Sequence, residues 1–432
     1  MKPLEDYTFV RGFNYTQSNV ITDTNFWEEY DHDIVERDMG YAERLRLNSA
    51  RIFLTYSSYV KDPEGFLRNV QDFMDTAWRH GISTNPIVYH GLRFHPDDLK
   101  PGPRDRSKPP KTLLDESCWA LGERYFDALY EAVGSHPGLL FWDISNEPGY
   151  RLRNDCTWYE AEPAFRQTGL EPPDPEQMED LRYRQELVWK CIRHFCKYVK
   201  GKDPVNAIGV GNTFIYETEA SGTAELVDII VFHDYSETRA RAREVYEYAM
   251  ALGKKYGKPV INNETCCLCR ANPYDMVLEL ISQYKMGWYA FELMIGADLW
   301  NRVHGVVYPD GTVRDPAIVS ALMGFYRNRG QHAIAADVNQ EGHAQKAIAM
   351  AERALARKFH GFTHVIGDNA GELLEACEYI ANLLEAGQHV PMDNPPTARV
   401  MAYRRQAHPD VMEIRRWLVQ LVGQLKQACD II

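Results

Sequence analysis

Residues 139–150 read LLFWDISNEPGY. Apolar and aromatic side chains dominate the run as far as Ser145, then Asn146 and Glu147 follow, and Pro148-Gly149 stops the pattern. A short run apolar on both faces and bounded by turn residues reads as a buried parallel strand, and the proline marks its end because it cannot donate to a ladder. Glu147 therefore stands where a buried element surfaces, at the carboxyl end of a strand.

Seven further runs have the same texture: FVRGFNY (9–15), SARIFL (49–54), STNPIVY (83–89), AIGVGN (207–212), DIIVFH (228–233), PVINNE (259–264) and ADLWN (297–301). Helical patterns lie between them, over 32–46, 64–80, 117–135, 178–200, 238–256 and 274–293. The clearest places Phe66, Val70, Phe73, Met74, Ala77 and Trp78 on one face, with Gly81 past its end. The link between the fifth and sixth strands is too short for a full helix. Eight strands alternating with helices predict an α/β fold, a (β/α)8 TIM barrel over 1–330. The alternative, an open doubly wound sheet, would carry a glycine-rich phosphate fingerprint after its first strand, and none is present.

Beyond residue 330 the strand texture disappears. HAQKAIAMAERALARKF, ELLEACEYIANLLEAG and HPDVMEIRRWLVQLVGQLKQAC are amphipathic, and VPMDNPPTAR separates the last from the others. They predict a helical C-terminal extension, 331–432, packed on the barrel; exposed apolar faces would instead favour a homo-oligomer.

The 432 residues carry a net charge of −13, which argues against nucleic acid because no clustered positive field is available for a phosphate backbone. There is no apolar stretch of about 18 residues to span a membrane. The beginning, MKPLEDYTFVRGFNY, lacks the pattern of a secretory signal, so the expected location is cytoplasmic. Nine scattered cysteines suit free thiols. The cluster CCLC at 266–269 is the one place to argue a metal, but no second Cys or His pair follows at zinc-site spacing. The expectation is therefore no metal and no cofactor.

In a barrel of this class chemistry is done where strands end at the carboxyl rim. Glu147 ends the fourth predicted strand and Glu264 the seventh. Two carboxyl groups about 5–5.5 Å apart can cleave a glycosidic bond with retention, one attacking the anomeric carbon while the other protonates the departing oxygen. Asn146-Glu147-Pro148 after an apolar strand resembles the acid/base signature of clan A glycoside hydrolases, most closely family 5. The resemblance runs in order through Arg51 in SARIFL, His90 in VYHG, His233 and Tyr235 in FHDY, Glu264 in PVINNE and Trp300 in ADLWN. It departs after Glu264, where Thr-Cys-Cys replaces the glycine or phenylalanine common in the family.

What the resemblance implies is a retaining β-glycoside hydrolase with Glu147 as acid/base and Glu264 as nucleophile. Arg51 would hold Glu264 anionic, Tyr235 would donate to it, Asn146 would bond the sugar's 2-hydroxyl, His233 would be a substrate-binding residue of the His-x-Tyr after the sixth strand, and Trp300 would form the sugar platform. Long segments at 91–116 and 149–177 would wall a groove into a pocket, suiting exo attack on a small oligosaccharide. The pattern is similar to that of exo-β-1,4-mannosidases of family 5, some of which act on Manβ1,4-GlcNAc, with Asn146, His90 and Arg302 as candidate readers of the 2-hydroxyl. The alternatives are a β-glucosidase or endo-glucanase or mannanase of the same family, an inactive carbohydrate-binding barrel, and a metal-dependent hydrolase, for which the required cluster of rim histidines and aspartates is not evident.

Overall fold

A computed structural model describes residues 4–90, 93–94, 111–112, 115–148, 175–324, 340–356, 366–387, 389–390, 395–406 and 409–429. The chain divides into two compact units, 1–328 and 329–432. The rim segments singled out above, 91–116 and 149–177, fall almost wholly outside the described residues.

In the first unit eight parallel strands form one sheet. They are β1 (Arg11–Tyr15), β2 (Ser49–Thr55), β3 (Ser83–His90), β4 (Trp142–Asn146), β5 (Ile208–Gly211), β6 (Ile230–His233), β7 (Val260–Thr265) and β8 (Gly287–Ala290). The spatial order β5-β4-β3-β2-β1-β8-β7-β6 leaves β5 and β6 as ends, and a parallel bridge between Asn212 and Phe232 brings these together to close a (β/α)8 barrel. Between β5 and β6 there is only the single turn Glu217–Ala220, as the short link requires.

The crossover helices form where their apolar spacing predicts. Helix Pro63–Arg79 buries Phe66, Val70, Phe73, Met74 and Ala77, and Asp62 caps it by accepting from the N–H of Gly65. One strand is misplaced by the sequence reading. ADLWN is not the eighth strand: Asp298 accepts from the N–H of Trp300 at 2.7 Å and caps a short helix, Leu299–His304. The eighth strand is GWYA, inside the region read as a helix over 274–293; that helix stops at Tyr284, with Lys285 in the left-handed conformation after it. A continuous apolar run such as MGWYA fits a buried helix and a buried strand equally well, so periodicity could not separate them.

Alternation along the strands sorts the core into two layers. Trp142, Ile144, Ile208, Val210, Ile230 and Phe232 join the large cluster shared with the helices, whereas Phe141, Ile229, Val231, Ile261 and Tyr289 form a separate cluster inside the barrel. The polar residues in phase with the inner set, Asn14, Arg51, Asp143, Asn263 and His233, are also buried. They make a charged layer above an apolar floor.

The second unit contains helices Gln340–Ala356, Ile366–Ala386, Pro396–Arg404 and Val411–Ala428. It has its own core, with Leu373, Ile380, Leu384, Ile414, Leu418 and Leu421 among its buried members. Among the described residues no helix is long and apolar enough to cross a membrane. Leu418→Ala, which empties a fully buried position in this core, is expected to cost about 2–5 kcal/mol, read as a lower denaturant midpoint for the loss of helical circular dichroism.

Candidate active site

The site is assembled around Arg51, which is fully buried in β2. Its Nη1 donates to Glu264 Oε1 at 2.6 Å and to Asn14 Oδ1 at 2.9 Å, its Nε to Asp143 Oδ2 at 3.0 Å, and its Nη2 to Asn146 Oδ1 at 2.7 Å. Asp143 also accepts from the N–H of Gly211 at 2.9 Å and from Asn263 Nδ2 at 3.0 Å. A guanidinium stripped of water is costly unless its charge is matched and its donors are used, and here two carboxylates and two amide oxygens serve it. Burial opposes the charge on Arg51, but Asp143 and Glu264 outweigh it and hold the guanidinium above its ordinary pKa.

Two of the rim residues do not follow the alternation of their strands. Asp143 faces inward, so simple alternation would turn Asn146 outward; Asn263 faces inward, so Glu264 should turn outward. The pairing of β4 with β5 shifts register between Asp143 and Asn146, and that of β6 with β7 shifts where His233 meets Glu264. Such irregularities re-aim side chains, and both here occur at the ends of strands.

Beyond Arg51, Glu264 accepts from the hydroxyl of Tyr235 at 2.9 Å. Burial first, and then the charge of Glu264, push the Tyr235 phenol well above its ordinary pKa, so it remains a donor. His233 Nδ1 lies 2.8 Å from Glu147 Oε1 and 3.3 Å from Glu264 Oε2. Burial drives the His233 pKa down to about 4 despite the opposing pull of Glu264, so the imidazole is neutral at pH 7. An oxygen of Glu147, an oxygen of Glu264 and a nitrogen of His233 lie within 4.8 Å of one another. Such a trio could ligate a cation, but its atoms are engaged otherwise: Glu264 with a guanidinium and a phenol, Glu147 with the imidazole. Glu147 has φ of +44°, a conformation that costs a side-chain-bearing residue about 1–2 kcal/mol. Its N–H is held by the carbonyl of Gly211 at 2.8 Å.

The remaining predicted residues lie further out. His90 ends β3, where its Nε2 pairs with Asp23 at 3.1 Å and its ring meets Phe53, the residue over which Arg51 also sits. Trp300 is 54% exposed on helix Leu299–His304. Its ring lies 5.8 Å from the guanidinium carbon of Arg270, which is itself 4.4 Å over the ring of Tyr235. Arg302 is exposed on the same helix and donates to the carbonyl of Ala297 at 3.0 Å; among the described residues it makes no ion pair with Glu147 or Glu264. Sequence reasoning missed Asp143, Asn14, Asn263 and Arg270. For Asp143 a signal was present, an acid in the middle of an apolar strand, where an unpaired charge is not tolerated.

The sequence matches no protein-family model and no curated protein. Solved structures do match. A GH5_18 variant from Streptomyces cattleya in complex with Manβ1-4GlcNAc is 15% identical, with TM-score 0.53 over 84% of this chain and 96% of the other. The exo-β-1,4-mannosidase Op5Man5 from Opitutaceae bacterium strain TAV5 is 14% identical, with TM-score 0.53 over 85% of this chain and 75% of the other. A GH5_18 from Bifidobacterium longum subsp. infantis is 14% identical, with TM-score 0.52 over 75% and 79%. At such identities the likeness is one of fold.

Arg51→Met leaves Asp143 and Glu264 as uncompensated buried charges and is expected to cost about 3–5 kcal/mol in urea unfolding at pH 7. The lowered pKa of His233 sets a second expectation. As pH falls from 6.5 to about 4 the unfolded chain takes up a proton that the folded imidazole refuses, so stability present above pH 6.5 is lost across that window. Wild type should lose about 3 kcal/mol more than His233→Asn between those limits, compared by urea midpoints at each pH.

Proposed function

We propose that the chain is a retaining β-glycoside hydrolase, exo-acting on short β-1,4-linked oligosaccharides, and most specifically a β-mannosidase acting on disaccharides such as Manβ1,4-GlcNAc. The observation that carries the reaction class is the unequal environment of two carboxyl groups with oxygens within 4.8 Å of each other. Glu264 is anchored by a buried guanidinium and a phenol, both of which stabilise its anion, whereas Glu147 meets a neutral imidazole. Two carboxyl groups in such different surroundings can take different roles in one reaction.

Glu264 attacks the anomeric carbon and Glu147 protonates the departing oxygen, leaving a covalent glycosyl ester. Glu147, now a carboxylate, takes a proton from water as that water attacks the same carbon; the bond to Glu264 breaks, the carboxylate is regenerated, and the sugar leaves with its original configuration restored. Arg51 donates to Asn146 Oδ1, so the amide's N–H groups are the part of Asn146 that would donate to an acceptor such as a 2-hydroxyl. That contact strengthens as the ring flattens toward an oxocarbenium ion. The manno assignment is supported by the order of motifs in the sequence and by the fold shared with a structure holding Manβ1-4GlcNAc and with an exo-β-1,4-mannosidase.

Proton NMR of an aryl β-glycoside digest should show the β-anomer first; an α-anomer would sink the retaining mechanism. Glu264→Ala should abolish turnover and, with azide, yield an α-glycosyl azide. Glu147→Ala should lose about 10²–10⁴-fold in kcat on substrates with poor leaving groups and much less on dinitrophenyl glycosides. Faster turnover of the β-glucoside than of the β-mannoside would move the substrate to the gluco series while leaving the mechanism intact.

A further inference from the structure

The segment CCLC is not absorbed by the chemistry above. Its loop is pinned by hydrogen bonds: Asn272 Oδ1 accepts from the N–H of Cys266 at 2.7 Å and its Nδ2 donates to the carbonyl of Ser236 at 2.8 Å, while Cys267 and Asn272 form an antiparallel bridge. A 3-10 turn over Leu268–Arg270 brings the sulfurs of Cys267 and Cys269 to 3.4 Å, and both are free thiols. The helix after β8 supplies a third group. His304 is only 4% exposed, its Nδ1 is bonded to the carbonyl of Trp300 at 2.9 Å, and its Nε2 is buried with no hydrogen-bond partner among the described residues. One ligating atom from each of Cys267, Cys269 and His304 lies within 4.8 Å of the others.

We propose that these three residues form a zinc site, Cys267 and Cys269 through sulfur and His304 through Nε2. Tetrahedral zinc with Zn–S of about 2.3 Å and Zn–N of about 2.0–2.1 Å separates two thiolates by about 3.8 Å, a few tenths of an ångström beyond the spacing of this pair. The bond from Nδ1–H to a backbone carbonyl is the outer contact that fixes a ligating imidazole in the required tautomer. Binding releases the two thiol protons, so the dication meets two thiolates and a neutral nitrogen with no net charge left over. Exposed Cys269 leaves a route for the ion and a fourth position for water. A Cys267–Cys269 disulfide would use the same sulfurs but leave the buried Nε2 without a purpose.

The ion would tie the loop after β7 to the helix after β8. Arg270 in that loop lies over Tyr235, the donor to Glu264, and Trp300 lies on that helix with its ring 5.3 Å from the ring of His304. The site is thus a clamp on one wall of the rim, and its existence does not depend on the proposed hydrolase activity.

The full chain, purified under reducing conditions and freed of metal by a chelator, should bind one equivalent of zinc and, with cobalt(II), develop the near-ultraviolet sulfur-to-metal absorption of a thiolate site. Cys269→Ser and His304→Ala should each weaken zinc binding by more than about 100-fold, while Cys429→Ser leaves it unchanged. Cys269→Ser changes an exposed side chain, so it carries the test even if His304→Ala fails to fold. Zinc only at trace level in the reduced chain, full binding retained in Cys269→Ser, or a Cys267–Cys269 disulfide that persists in the reductant would each overturn the proposal.

Discussion

The buried guanidinium of Arg51 is the interaction on which the upper barrel depends. It joins β2 to β1 through Asn14, to β4 through Asp143 and Asn146, and to β7 through Glu264. A charge at that depth is tolerated only with every donor used and its sign matched, so the positions of four strand ends are tied to one planar group. Gly211 shows how little slack remains: a Cβ there would lie 2.8 Å from Arg51 Nη2, 2.9 Å from Asp143 and 3.2 Å from His233. The residue is glycine because the network occupies the space a side chain would need.

That network also decides how two carboxyl groups can differ. Glu264 belongs to it directly, whereas Glu147 meets it through His233, whose burial keeps the imidazole uncharged. The apolar floor below, built from Phe141, Val231, Ile261 and Tyr289, keeps water from the underside of the charged layer. Charge pairing in such surroundings is stronger than at a surface, and its geometry is correspondingly unforgiving.

The local signals in the sequence are strong where a residue's partners are near in the chain. Helix Pro63–Arg79 could be read from its apolar stripe and the glycine past its end, and seven of the eight strands from short apolar runs ended by turn residues. The eighth was lost because GWYA follows a helix with little punctuation beyond Gly287. Asp143 reads as part of an apolar strand, although its charge demands a partner, which Arg51 of β2 supplies. Cys267 and Cys269 are half of a metal pattern, and the third group, His304, lies at the end of a helix whose first residues belong to the run ADLWN (297–301), which reads as a strand.

By itself the sequence determined the alternation of strands and helices, the change of texture beyond residue 330, and the presence of Glu147 and Glu264 at strand ends, because these follow from side-chain period and turn chemistry along a continuous chain. Only the tertiary structure decided which way the strand-end side chains point. Alternation alone turns Asn146 and Glu264 away from the barrel axis, and it is the register irregularities against β5 and β6 that bring them in to Arg51. Register is a relation between two strands, so no reading of one strand contains it.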